Sequence, residues 1–266
     1  MKKLSILVAI FAAIALASCG DKKAKAESEE SAKSFEQEQI EANIKMQFDS
    51  LAAEVGRLKL VPFLRSDGQG GFELTQDELK VKPDFLLNPS VAEDATTLAE
   101  KYRLLSALDI DRRVAKLYEM PLDDYNKAIT KLAADINDPS FKDIDDKQGL
   151  SETTQDIYDK MEANGRLNYF WQMAAAALVE QLYLINQNPD KFLSTFTDEA
   201  ASNVTFRIIL INDALNRLSE YDPEIEPVAD AINPLEVLNA TSVDELKSQL
   251  AEVKEQINAA RETLTK

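Results

Sequence analysis

The chain has no histidine, one cysteine and 7 glycines in 266 residues. Each shortage excludes a class of chemistry. Without histidine there is no Ser-His or Cys-His nucleophile pair, and the usual zinc and copper ligand is missing. A lone cysteine cannot close an intrachain disulfide, and no Cys-x-x-Cys offers a redox or iron–sulfur site. So few glycines argue against a turn-rich β architecture and fit long helices better. Basic residues are also scarce, 30 against 47 acidic ones, giving a net charge of -17 and a pI near 4.5. Nucleic acid needs clustered Lys and Arg, so it is a poor partner for this chain. The same sign opposes flat docking of the polypeptide on an anionic bilayer. Enough apolar residues are present, 45% of the total, to build a packed core.

The amino terminus has its own grammar. Met1, Lys2 and Lys3 precede an apolar stretch from Leu4 to Ala17 that carries one hydroxyl, Ser5. This is a signal-peptide profile, shorter than the roughly 20 residues of a membrane span. The stretch ends in Leu16, Ala17, Ser18 and Cys19. These four residues resemble the lipobox of bacterial lipoproteins. The resemblance implies a signal peptide over residues 1–18, diacylglyceryl attachment to the Cys19 sulfur, cleavage after Ser18 and acylation of the new amino terminus by a palmitate-type chain. It covers only the leader. Gly20, in place of Asp, resembles an outer-membrane destination; Asp21 resembles a Bacteroidota surface-export signal, from which Lys22 and Lys23 depart. Cleavage removes Lys2 and Lys3, leaving 28 basic and 47 acidic residues, a net charge of -19. Each buried acyl methylene adds ~0.8 kcal/mol, so lipid chains hold the protein on a membrane without help from an acidic surface.

Residues 19–34 read as the lipidated cysteine and a flexible tether, with mixed charge and no aromatic. A random coil of that length spans roughly 20 Å. From Phe35 to Lys266 the pattern predicts an all-α domain, a bundle of five to seven helices. Ile44, Phe48, Leu51, Val55 and Leu58 recur at spacings of 4, 3, 4 and 3, predicting a helix that ends before Pro62. Val61–Leu64 and Phe72–Leu74 around the SDGQGG loop suggest a small hairpin over 61–74. Ser90 with Glu93 reads as a capping box opening a helix to about Leu108, and Leu122–Ile136 as another helix. Residues 137–150 form a polar loop and the best internal boundary. Ser151 with Thr154 opens a long helix to Asn186, apolar nearly all round between Leu167 and Ile185 and hence central. Asp198–Tyr221 is a further helix, and Pro223, Pro227 and Pro234 mark an irregular connection. The last helix carries Leu246, Leu250, Val253, Ile257, Ala260 and Leu264 inward, a stripe that could pair with the first.

With histidine gone, carboxylate chemistry is what remains. Asp143, Asp145, Asp146 and Gly149 vaguely resemble a calcium loop, but Lys147 and Thr154 stand where ligands are needed, so an ordinary acidic loop is the better reading. Asp109 with Asp111 and Asp123 with Asp124 read as acids drawn to helix starts by the macrodipole. Glu180 and Arg207 each interrupt an apolar run. They either pair in the core, line a ligand pocket beside Trp171 and Tyr183, or sit at the rim with their stems covering apolar surface, as snorkelling favours. No phosphate-cradling glycine loop, metal spacing or cofactor motif appears, so no cofactor is expected. These absences favour a non-enzymatic envelope protein that binds or scaffolds an envelope partner. A carboxylate-based glycan hydrolase and a carrier of a small apolar ligand are the alternatives.

Asp49, Ser50 and Leu51 resemble the Asp-Ser/Thr-apolar O-glycosylation sequon of Bacteroidota envelope proteins, although with 23 aspartates about one such triplet arises from composition alone. The triplet therefore carries little weight, and a mass spectrum of the intact native protein without hexose increments would remove it. A hexose ladder lost in Ser50→Ala would contradict this.

Overall fold

The apolar stripes wind into helices, and no strand occurs among the described residues. The computed structural model describes residues 46, 48, 50–65, 73–141 and 154–266. The leader, Cys19, the tether, Ile44 and residues 143–149 lie outside them. Eight described helices have seven residues or more: α1 (Leu98–Leu117), α2 (Asp123–Ile136), α3 (Thr154–Ala163), α4 (Leu167–Gln187), α5 (Asp198–Ser219), α6 (Glu226–Ile232), α7 (Val243–Glu252) and α8 (Lys254–Leu264). Shorter segments at 46–52, Gln76–Lys80 and Pro189–Phe192 bring the total to eleven among the described residues. The bundle is therefore all-α, with more helices than the five to seven expected.

The surplus has three causes. First, the long helix expected up to Asn186 breaks at Asn164–Gly165. Gly165 takes a left-handed φ of 66°, and the Arg166 amide donates back to the Met161 carbonyl at 2.8 Å, closing α3 with a glycine-dependent turn. Second, the final stripe is divided at Val253 into α7 and α8. The flanking bonds from Val253 to Gln249 and from Ile257 to Val253 persist, so all six stripe residues stay buried. Third, the proline-marked connection is itself helical. Pro223, Pro227 and Pro234 each sit in the first turn of a helical segment, where a missing N–H costs nothing.

The hairpin over 61–74 does not form among the described residues. Pro62–Leu64 is a single 3-10 turn that buries Phe63 and Leu64, and Phe72 lies outside the described residues. Pro62 fixes φ and lacks a donor, which suits a first-turn position and not a ladder. The Val61 amide instead donates to Gln181 Oε1 at 3.0 Å. The first stripe is buried at Phe48, Leu51, Val55 and Leu58, but the chain passes from α-helix at Ala52 to a 3-10 turn at Val55–Arg57. The Ser90 capping box is also displaced. Pro89–Glu93 is a 3-10 turn capped by Asn88, and α1 starts later with Thr97 and Glu100 bonding reciprocally. From there α1 runs through Asp109 without a break.

Helix α4 is the axis of the bundle. Fourteen of its residues are buried, including polar Gln172, Glu180 and Gln181. Helices α1, α3, α5 and α8 pack around it, α2 lies on α1, and α6 joins α5 to α8. Small residues let α1 and α4 approach: the Ser106 hydroxyl lies 2.9 Å from the Met173 carbonyl on α4. Trp171 is fully buried among Phe48, Tyr158 and Phe170. Residues on both sides of the 137–150 segment, such as Ile136 and Ile157, belong to one hydrophobic cluster. No helix among the described residues is long and apolar enough to cross a membrane.

A Cβ at Gly165 would meet nothing within 4 Å, so Gly165→Ala isolates the backbone cost of the left-handed turn. It is expected to destabilise the domain by roughly 1–2 kcal/mol. An unchanged denaturation midpoint would contradict the turn.

Candidate functional site

Three helices converge on one buried charged cluster. α1 supplies Asp111, α4 supplies Glu180 and α8 supplies Arg261. The Arg261 guanidinium grips Glu180 with both edges, Nε to Oε2 at 2.8 Å and Nη2 to Oε1 at 2.8 Å. This is the bidentate fork of an arginine–carboxylate pair. The same Nη2 donates to the Phe85 carbonyl at 3.1 Å and lies 3.8 Å from Asp111 Oδ2. The guanidinium also stacks over the Tyr183 ring, 3.8 Å from its centroid. Both acid side chains are fully buried, whereas Arg261 is 15% exposed.

Asp111 is the second acid of a pair that has one arginine. Its Oδ2 accepts from the Leu87 amide at 2.7 Å, and the Tyr125 hydroxyl donates to the Leu87 carbonyl at 2.9 Å. Burial first, and then the neighbouring Glu180 carboxyl, push the Asp111 carboxyl well above the usual carboxylate range. The proximity of Glu180 acts in the same direction as burial, so Asp111 holds a proton more readily than a free carboxyl does. Burial and the two acids likewise push the Tyr125 hydroxyl up. Burial opposes the charge on Arg261, but bonding to Glu180 and the nearby acids outweigh it and raise its pKa.

A surface groove of about 440 Å³ lies against this cluster, lined by Tyr183, Gln187, Lys254, Asn258, Glu262 and Arg261. Arg261 belongs to both groove and cluster. Neither acid lines the groove. A second network holds α1 to the segment after α2. The Tyr102 hydroxyl donates to Asp138 Oδ2 at 2.5 Å, Arg166 donates to the Tyr102 oxygen at 2.6 Å, and the Ser140 amide donates to Asp138 at 2.8 Å. Burial pushes the Asp138 carboxyl up, and these donors outweigh it, leaving it below its ordinary value.

Glu180 and Arg207 are both buried, not placed at the rim, and each has a partner other than the other. Arg207 Nη1 donates to the Lys59 carbonyl at 2.5 Å and to Gln181 Oε1 at 3.3 Å. Trp171 sits in an aromatic cluster with its indole N–H unpaired among the described residues. Asp109 and Asp111 stand in the middle of α1, not at a helix start. Asp109 pairs with Arg112 at 2.5 Å, and Asp111 is a site residue that the acid-at-helix-start reading misses. The available signal was Leu108-Asp109-Ile110-Asp111 inside an apolar run. Asp123 and Asp124 do occupy the first turn of α2. Ser50 is exposed. Protein-family models, curated proteins and solved structures give no match to this chain.

The raised Asp111 carboxyl makes a signed prediction. Unfolded Asp111 loses its proton near about pH 4, whereas the folded chain holds it to higher pH. Within that window the folded state binds the extra proton, so stability falls as pH rises. Carboxyls held low, such as Asp138, act oppositely and lose their contribution on acidification. The wild type is expected to lose melting temperature as pH rises above about 4 through this group, and Asp111→Asn to remove that component. Superimposable pH profiles would contradict a raised Asp111 carboxyl.

Proposed function

We propose that this chain is a lipid-anchored cell-envelope protein, held on the outer membrane through Cys19, whose helical domain binds or scaffolds an envelope partner without catalysing a reaction. The anchoring reading rests on Leu16-Ala17-Ser18-Cys19 after an apolar leader. The non-enzymatic reading is carried by one observation: Asp111 and Glu180 are both fully buried beside Arg261, and neither lines the groove. A glycosidase needs two carboxyls that sugar and water can reach. Here the arginine stands where a substrate would have to enter. A carrier of a small apolar ligand would need a pocket lined mostly by apolar side chains. The 440 Å³ groove is rimmed by Lys254, Asn258, Glu262 and Gln187, which suits a polar protein surface better.

The experiment is metabolic labelling with radioactive palmitate, followed by cross-linked pull-down of the full chain from envelope membranes. Wild type is expected to carry label and to sediment with membranes, and Cys19→Ala to do neither. A defined envelope protein should be recovered with wild type and lost when Lys254 and Glu262 are reversed in charge. Label independent of Cys19 would overturn the anchor. Glycan turnover by the purified full chain, abolished by Glu180→Gln, would overturn the non-enzymatic reading.

A further inference from the structure

One buried charge in the core has no counter-ion among the described residues. Arg207, on α5, is 4% exposed, and among those residues only neutral oxygens contact it. Two hydrogen bonds leave from Nη1, to the Lys59 carbonyl and to Gln181 Oε1. Its Nε is buried with no hydrogen-bond partner among those residues. An arginine stays charged in proteins, so it cannot escape this cost by losing its proton. Burial alone lowers its pKa to about 10, still cationic at neutral pH.

Arg207 lines a cavity of about 60 Å³ between α4 and α5. Its walls include Leu58, Phe170, Ala174, Leu178 and Ile211. The polar groups Thr154, Ser106 and Gln181 also line it, and the last two are committed. Ser106 bonds to Met173, and the Gln181 amide donates to the Ala177 carbonyl at 2.8 Å while accepting from Val61 and Arg207. One guanidinium without a counter-ion among the described residues, in a mostly apolar chamber, is the complement of a small molecule with one carboxylate and a short alkyl tail.

We propose that the Arg207 cavity binds a small aliphatic monocarboxylate, its carboxylate against the Arg207 guanidinium and its alkyl end against Phe170, Ala174 and Ile211. A water needs about 10–15 Å³ of such volume, so the chamber holds roughly four to six non-hydrogen atoms, the size of acetate to butyrate. A halide would satisfy the charge but leave the apolar walls unfilled. The site is independent of the Asp111–Glu180 cluster and of the membrane anchor, and it does not rest on the scaffolding reading.

The test is titration of the full chain in detergent with sodium propionate, against sodium chloride at equal ionic strength. Melting temperature and the linewidth of carboxyl-labelled propionate in carbon NMR are the two readouts. Propionate is expected to raise the melting temperature saturably and to broaden the labelled resonance, with chloride giving neither effect. Arg207→Met should weaken binding at least tenfold. Should that variant misfold, Ala174→Leu keeps the arginine, fills the chamber and is expected to abolish broadening. No saturable response, an equal response to chloride, or propionate binding retained in folded Arg207→Met or in Ala174→Leu would overturn the proposal.

Discussion

The fold depends on Arg261. From the C-terminal helix it reaches Glu180 on the axial helix, the Phe85 carbonyl in the segment before α1, and the field of Asp111 on α1. Four parts of the chain, far apart in sequence, meet at one guanidinium. Hydrophobic stripes are non-directional and tolerate sliding or rotation of one helix on another. A bidentate fork is not tolerant in this way, because it is satisfied in one geometry only. In this bundle it sets how α8 sits on α4 and α1. Removing one partner of a buried ion pair costs about 3–5 kcal/mol, since the charge left behind has no water. Here two buried acids would be left without their arginine.

The core contains a second charge handled differently. Glu180 and Arg207 are both near-fully buried, yet Glu180 meets an arginine and Arg207 meets only a carbonyl and an amide oxygen. Asp109 and Asp138 are likewise buried beside arginines, so Arg207 stands apart as a buried charge with no counter-ion among the described residues. It adjoins a cavity, and that is where a ligand adds most.

Much of this was legible in the sequence, and the failures have physical reasons. The all-round apolar character of Leu167–Ile185 located the axis, and the six-residue stripe from Leu246 to Leu264 is buried as its spacing implies. Helix ends fared worse. Asn164–Gly165 is a stop signal in the middle of an otherwise helical pattern, and it was outweighed by periodicity on either side. The offset at Val253 has no glycine or proline to announce it. Pro62 argued against a strand, yet the β-branched and aromatic residues around it suggested one. The charged cluster was half visible: Glu180 stood out against its apolar neighbours, whereas Asp111 was attributed to a helix start and Arg261 looked like any residue of an exposed face. Its partner choice, Arg261 and not Arg207, depends on how α8 crosses α4, which no local pattern encodes.

The functional reading follows from this arrangement. Asp111 and Glu180 hold helices together through Arg261; in the proposed reading the acidic exterior makes the partner contact and lipid on Cys19 supplies the membrane affinity. Everything turns on whether Arg261 and Glu180 are energetically joined. The direct measurement is a double-mutant cycle of Glu180→Gln and Arg261→Met by chemical denaturation at neutral pH. The account predicts a coupling on the order of 2–3 kcal/mol, with Arg261→Met the more damaging single change. Additive effects, with coupling near zero, would contradict it.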